Sequence, residues 1–291
     1  MPYSYDKFEP RRILAKIEDA IYAHIQPVRV EAWLTPEPVP YEQRSSGQYR
    51  DLKLGESWGS LWECAWMHVT GEVPASARGQ KVVLLIDING EALVYDDNGV
   101  AILGLTTVNS DFDLSLGWPG KRVVEISKSA KGGETIDFWM DTGANDLFGK
   151  LPENGILREA HVSICHETLR QLFHDYFVLE ELTRQLPEQS ARRIKIWKSL
   201  YDAAQVMNAY TDEEAAAARK ILAPELAKTG GSPSLTVSGI GHAHVDLGWL
   251  WPIRETIRKG GRTFATVIAM MERYPDYIFG ASQAQLYQWV K

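Results

Sequence analysis

His242, His244 and Asp246 recur at every second position. On extended backbone that spacing sends all three side chains to one face. Imidazole nitrogens beside a carboxylate suit Zn²⁺ or a similar divalent ion. The three follow Leu235-Thr-Val-Ser-Gly-Ile-Gly241, a short apolar run that reads as a buried strand. The carboxyl end of such a strand is where α/β sheets and barrels place their active sites. A closed zinc site takes about four ligands, and a catalytic one about three plus an open position. This segment is expected to supply two of them. Nothing in the spacing of His161, His166 or His174 recruits those residues as the others.

Trp249 and Trp251 come immediately after, then Pro252-Ile-Arg254-Glu255. An aromatic face beside a metal and acidic groups is what a sugar ring requires, with C–H groups stacked on the indole and hydroxyls toward the ion. The alternative for both tryptophans is a place in the core. Arg254 and Glu255 read either as a supporting ion pair or as a solvated helix start. Asp276, within Tyr274-Pro-Asp-Tyr277, reads as a structural turn residue.

Residues 255–274 carry a helical period, with Ile257, Phe264, Ile268 and Met271 on one side, and Tyr277-Ile-Phe-Gly280 reads as a second strand. Strand, loop, helix, strand opens an α/β unit with a parallel sheet. Two strands do not make a stable domain. The chain reaches Gln288-Trp-Val-Lys291 directly after this cluster, so the expectation is a truncated (β/α) barrel and a portion of a longer protein.

The upstream elements differ. Ile13, Leu14, Ile17, Ile21 and Ile25 form one stripe, predicting a helix over 11–25 closed by Pro27. Segments 65–73, 81–88, 91–95, 100–103, 122–126, 134–140 and 156–165 read as strands between Gly, Pro, Asn and Asp clusters. Asn89-Gly90 carries a hairpin signal and Asp97-Asn98-Gly99 a turn. Short strands at this spacing predict an antiparallel β-sandwich of about 130 residues. Three helices follow, over 166–186, 191–208 and 212–228, before the turn Thr229-Gly-Gly-Ser-Pro233. The fold class is therefore mixed α and β: a leading helix (1–27), a β-sandwich (28–165), a helical connector (166–233) and the first β/α unit of an incomplete barrel (234–291).

The whole chain has 291 residues, 45% of them hydrophobic and 24% charged, and a net charge of −7. That composition excludes a disordered chain, a coiled coil and a collagen-like rod. An acidic balance argues against nucleic acid or anionic lipid as partner. The charge is uneven: residues 234–291 hold six basic and four acidic side chains, leaving −9 for the rest. Cys64 and Cys165 make no disulfide framework. The absence of a leader-like apolar run near Met1 and of any membrane-length stretch points to a cytoplasmic location. Ten tryptophans is a high count. Trp33, Trp58, Trp62, Trp66, Trp118 and Trp139 fall in the sandwich, where the favoured reading is core. Trp62 and Trp66 are expected on one face of one strand, and the other reading is a sugar-binding surface.

The stretch Gly241-His-Ala-His-Val-Asp-Leu-Gly-Trp-Leu-Trp-Pro-Ile-Arg-Glu255, with Arg262-Thr-Phe264 and Phe279-Gly-Ala-Ser-Gln283, closely resembles the opening of the catalytic domain of glycoside hydrolase family 38, the α-mannosidases. More loosely, Leu54-Gly-Glu-Ser-Trp58-Gly-Ser-Leu-Trp62, Glu91-Ala-Leu-Val-Tyr-Asp96 and Gly104-Leu-Thr106 resemble the amino-terminal β-domain of that family's cytosolic and vacuolar branch, which has bacterial relatives. The resemblance implies a seven-stranded (β/α) barrel, with a helical bundle and large β-domains after it. It also implies retaining hydrolysis of terminal α-mannosides in oligosaccharides. It gives His244 and Asp246 the role of zinc ligands and Trp249 the floor beneath the mannose, while His242 matches a position that is not itself a ligand; His242 and Arg254 are the candidates to support the ligands. It places the nucleophile, the general acid and the remaining ligands beyond this chain, so no catalytic residue is assigned here. The chain by itself is expected to be inactive and to bind zinc weakly or not at all. The complete protein could be a homo-oligomer.

Two other readings stand beside it. One is a metal-dependent amidohydrolase barrel, in which His242 and His244 would both be ligands. The other is a non-catalytic carbohydrate-binding protein.

Overall fold

The computed structural model describes residues 7–108, 120–145, 155–229 and 236–291. Trp118, most of the turn expected over 229–233 and the first residue of the strand expected over 235–241 lie outside the described residues. The chain divides into two compact units, Met1–His24 with Ser163–Thr236, and Ile25–Val162 with Val237–Lys291.

The first unit is helical: α1 (Pro10–Asp19), α2 (Glu167–Gln185), α3 (Ala191–Gln205) and α4 (Asp212–Leu226). Ile13, Leu14 and Ile17 of α1 are buried, as are Leu172 and Tyr176 of α2, Leu200 of α3 and Leu222 of α4. Side chains cap two of the helices. Ser190 accepts a hydrogen bond from the Arg193 amide, and Thr211 from the Glu214 amide. Glu214 reaches back to accept from the amides of Asn208, Ala209 and Tyr210, fixing the turn that leads into α4.

The leading helix is shorter than its apolar stripe predicts. The amides of Ala20 and Ile21 turn back three residues, to Ile17 and Glu18, tightening and ending α1. Pro27 disfavours helix just ahead of it. Residues Tyr22–Pro27 form strand β1 instead.

The second unit contains β2 (Arg29–Thr35), β3 (Arg50–Asp51), β4 (Ser57–Gly59), β5 (Cys64–Glu72), β6 (Val82–Asp87), β7 (Glu91–Tyr95), β8 (Ala101–Thr106), β9 (Val123–Ser127), β10 (Thr135–Gly143), β11 (Gly155–Ile156) and the first four residues of β12 (Glu159–Cys165). One sheet runs β1-β12-β6-β9 and the other β3-β2-β5-β10-β7-β8, with β4 and β11 as a separate pair. The β2·β5, β5·β10, β10·β7, β7·β8 and β6·β9 pairings are antiparallel. Val30, Met67, Leu84, Ile86, Val94 and Met140 from both sheets are buried in one cluster. Trp58 and Trp66 are buried too, with their indole N–H groups donated to the carbonyls of Ile88 and Val39 at 2.8 and 2.9 Å. That satisfies the polar handle that burial would otherwise strand.

Two expectations are corrected here. Asn89-Gly90 does not close a hairpin, because β6 and β7 belong to different sheets. Asn89 does take positive φ, +48°, with its amide donated to Asp87 Oδ1. A Cβ on Gly90 would sit 2.5 Å from the Gly143 carbonyl oxygen. The turn is a corner pressed against β10, and it carries the chain from one sheet to the other. Trp62 does not share a strand with Trp66. It stands at φ +67° in the turn before β5, its amide donated to the Ala144 carbonyl. The Asp97-Asn98-Gly99 turn does join paired strands, β7 and β8, and Asp96 Oδ1 accepts from the amides of Asn98 and Val100.

The same unit carries β13 (Gly241–His242), α5 (Ile253–Arg273), β14 (Phe279–Gly280) and α6 (Ala284–Val290). β13 and β14 pair in parallel, with α5 between them in sequence, as the strand–helix–strand pattern predicts. The strand expected over 235–241 is reduced to this short pair. Val237 and Ile240 are exposed, since among the described residues no further strand covers the two-stranded sheet.

Candidate functional site

His242 closes β13. Residues 243–252 run without regular structure to the start of α5. Within that stretch His244 and Asp246 meet, with His244 Nε2 3.0 Å from Asp246 Oδ1. The imidazole is 76% exposed and the carboxylate 32%. His242 is exposed and stacks toward Phe279, with ring centroids 6.5 Å apart. Among the described residues, no third His, Cys, Asp or Glu joins His244 and Asp246 in a ligand cluster.

An imidazole nitrogen and a carboxylate oxygen fit zinc in kind. Two donors about 2.1 Å from a tetrahedral ion stand roughly 3.4 Å apart, so donors at 3.0 Å need only a small adjustment. The pair amounts to half of a full ligand set.

Trp249 is 60% exposed, its indole open to solvent beside the pair in sequence. Trp251 is half-buried, with Lys259 Nζ 5.0 Å above its ring. Arg254 is tied elsewhere: its Nε is 3.3 Å from Glu37 Oε2, and its Nη2 donates to the Trp62 carbonyl at 3.3 Å.

α5 is turned opposite to its apolar stripe. Ile257, Ile268 and Met271 are exposed, while Glu255, Arg258 and Arg262 are buried against the β-sandwich. The helix start is therefore not solvated. Close approach is possible because β8 has Gly104 at the contact. A Cβ there would meet the Arg262 carbonyl oxygen at 2.8 Å, and the Gly104 amide donates to Thr266 Oγ1 at 3.0 Å.

The buried charges form one network. Arg258 forks onto Asp141 of β10, Nε to Oδ2 at 3.1 Å and Nη2 to Oδ1 at 2.6 Å, and also pairs with Glu255. Arg262 Nη2 reaches Glu91 of β7 and Glu255, both at 3.2 Å, and Lys259 pairs with Glu91. Asn145 Nδ2 lies 2.7 Å from both Glu91 and Glu255. Three carboxylates face three cations, which is how a protein interior tolerates so many charges.

Burial alone would push the Glu91 carboxyl up, but Arg262, Lys259 and the hydrogen bonds outweigh it and hold it down to about 2. Glu255 is likewise depressed: burial opposes the shift, and Arg258 and Arg262 overcome it. Groups depressed on folding stabilise fully above their unfolded value, here near 4.5, and lose that contribution as pH falls toward the folded one. We expect thermal stability of the unit to fall between about pH 4.5 and 2, and Glu91→Gln to flatten that fall. An unchanged slope in the variant would remove Glu91 as the cause.

Sequence reasoning missed Glu91, Asp141, Asn145, Arg258, Lys259, Arg262 and Thr256. The available signal was the polar stripe 255, 258, 259, 262, a helical period written in charge.

Residues 26–164 match the family described as "Alpha-mannosidase, jelly roll domain", and residues 234–291 match "Glycosyl hydrolases family 38 N-terminal domain". Alpha-mannosidase 2C1 of Homo sapiens is 29% identical over 279 residues, covering 91% of this chain and 26% of the relative. The mouse protein of that name is 28% identical over 274 residues, with the same coverage. Alpha-mannosidase G of Dictyostelium discoideum is 28% identical over 282 residues, covering 91% of this chain and 25% of its own length. The chain thus spans about a quarter of these curated relatives. One matched segment carries the antiparallel sandwich, and the other, the β13–α5–β14 unit, is similar to the amino-terminal domain of glycoside hydrolase family 38.

Proposed function

We propose that the full-length protein is a zinc-dependent, retaining α-mannosidase acting on terminal α-mannosides of oligosaccharides, and that this chain supplies two of its metal ligands and the floor of its sugar site. The observation that carries the reading is the convergence of His244 Nε2 and Asp246 Oδ1 at 3.0 Å, inside the segment that matches the family 38 N-terminal domain. The names of the similar proteins support the substrate class.

His244 would hold the ion through Nε2 and Asp246 through its carboxylate. Zinc, when bound, supplies a Lewis acid for sugar hydroxyl oxygens. Trp249 offers an exposed indole face on which sugar C–H groups stack. Arg254 acts through structure, fastening the start of α5 to Glu37 and the Trp62 carbonyl. Retention requires two carboxyl groups, a nucleophile and an acid/base. No residue of this chain is assigned to either task, so the chain alone is inactive in this reading. The β-sandwich serves as a brace, since Trp58 and Trp66 are core residues.

The test is an assay of the full-length protein on aryl α-mannosides and on cyclic amides, with the anomer of the first-released sugar read by NMR. Release of α-mannose, lost with a chelator and restored by zinc, is the expected result. Amide hydrolysis would establish the amidohydrolase reading instead. Sugar binding without turnover would establish the non-catalytic one.

A further inference from the structure

Residues 243–252 carry the metal-ligand pair but have no strand or helix of their own, so their backbone groups need partners from elsewhere. Side chains provide them for three consecutive carbonyls. Gln283 Nε2 donates to the Val245 carbonyl at 2.9 Å. The Thr256 hydroxyl lies 3.3 Å from the carbonyls of both Asp246 and Leu247. Thr256 is fully buried, and its oxygen accepts the Trp251 indole N–H at 2.9 Å. A hydroxyl has one hydrogen to give. With the indole N–H occupying a lone pair, that hydrogen can only point toward the two carbonyls.

Thr256 is also anchored from behind. It follows Glu255, which is held by Arg258, Arg262 and Asn145. Lys259 covers the Trp251 ring while pairing with Glu91. A path from the β-sandwich to the Asp246 backbone therefore runs through this buried hydroxyl.

We propose that Thr256 is the positioning residue of the metal site, its hydroxyl fixing the backbone of Asp246 so that the carboxylate meets the ion together with His244. The inference rests on the zinc reading above. Partners that orient ligands typically change metal affinity 10–100-fold when removed.

The experiment uses the full-length protein, with zinc affinity measured by chelator competition. Thr256→Val keeps the shape and removes the hydroxyl, and it should weaken zinc binding about 10–100-fold. Thr256→Ser, which restores the hydroxyl, should bind within about threefold of the parent. Trp251→Phe, which keeps an aromatic ring but removes the N–H that the Thr256 oxygen accepts, should fall between the two. Excess zinc should restore kcat in Thr256→Val, whereas a merely structural lesion would not respond to zinc. Asp246→Asn provides the reference. If it loses zinc while Thr256→Val binds like the parent, the role of Thr256 is overturned alone. If Asp246→Asn keeps zinc with parental affinity, the metal reading falls, and the proposal with it.

Discussion

Asp246→Ala should remove bound zinc and α-mannosidase turnover together from the full-length protein while leaving its fold intact. The carboxylate is 32% exposed, and His244 is its hydrogen-bonding side-chain partner. An exposed pair of this kind contributes about 0–1 kcal/mol to stability, so thermal unfolding should barely move. The effect on rate is far larger. A Lewis acid stabilises transition-state charge by several kcal/mol, and each 1.36 kcal/mol is tenfold, so a fall of about 10³-fold or more is expected. His244→Ala should match it, and the double variant should be no worse than either single one, because the two residues act as a unit. His242→Ala separates the enzyme classes. In the mannosidase reading it keeps the metal, consistent with its ring turned toward Phe279. In the amidohydrolase reading it loses the metal. Trp249→Ala should raise KM while zinc content stays unchanged. Full zinc and turnover in Asp246→Ala would remove Asp246 from the site.

The contrast between these residues and the buried network shows what a sequence makes legible. His244 and Asp246 are two residues apart, so no distant element is needed to bring them together. The antiparallel strands were readable for a similar reason, since alternation and turn residues are local signals. The orientation of α5 was not. Its apolar stripe and its polar stripe are equally regular, and periodicity does not say which faces inward. The deciding partners are distant: Asn145 lies 110 residues before Glu255, and Asp141 lies 117 before Arg258. Beside the polar stripe itself, a carboxylate at the head of the strand Glu91-Ala-Leu-Val-Tyr95 was the other local hint. Asn89-Gly90 failed as a hairpin signal on the same grounds. Its backbone suits a tight turn, but the pairing of the flanking strands is settled by the two sheets. Thr256 stayed hidden because its partners are backbone carbonyls, which leave no mark on residue type.

The buried network yields the second large effect. Arg258→Leu should destabilise the unit Ile25–Val162 with Val237–Lys291 by about 3–5 kcal/mol, the usual result of removing one partner from a buried ion pair. The guanidinium is buried, with a bidentate fork on Asp141 and a contact to Glu255, whose side chain is 0% exposed. Without it, Asp141 and Glu255 face each other across β10 and α5 with one cation fewer. Arg258→Lys should recover only part of the loss, because an ammonium cannot reproduce the planar fork. Replacing Asp141 as well, as Arg258→Leu with Asp141→Leu, should cost less than the sum of the single changes, since the two share one interaction. The damage should also reach the metal pair. Loosening the first turn of α5 moves Thr256, so zinc affinity should fall in Arg258→Leu although Arg258 touches neither His244 nor Asp246 in the structure. Unfolding measured by denaturant and zinc affinity measured by competition would test both halves. A loss under 1 kcal/mol with unchanged affinity would mean that the β-sandwich does not hold α5 through this arginine.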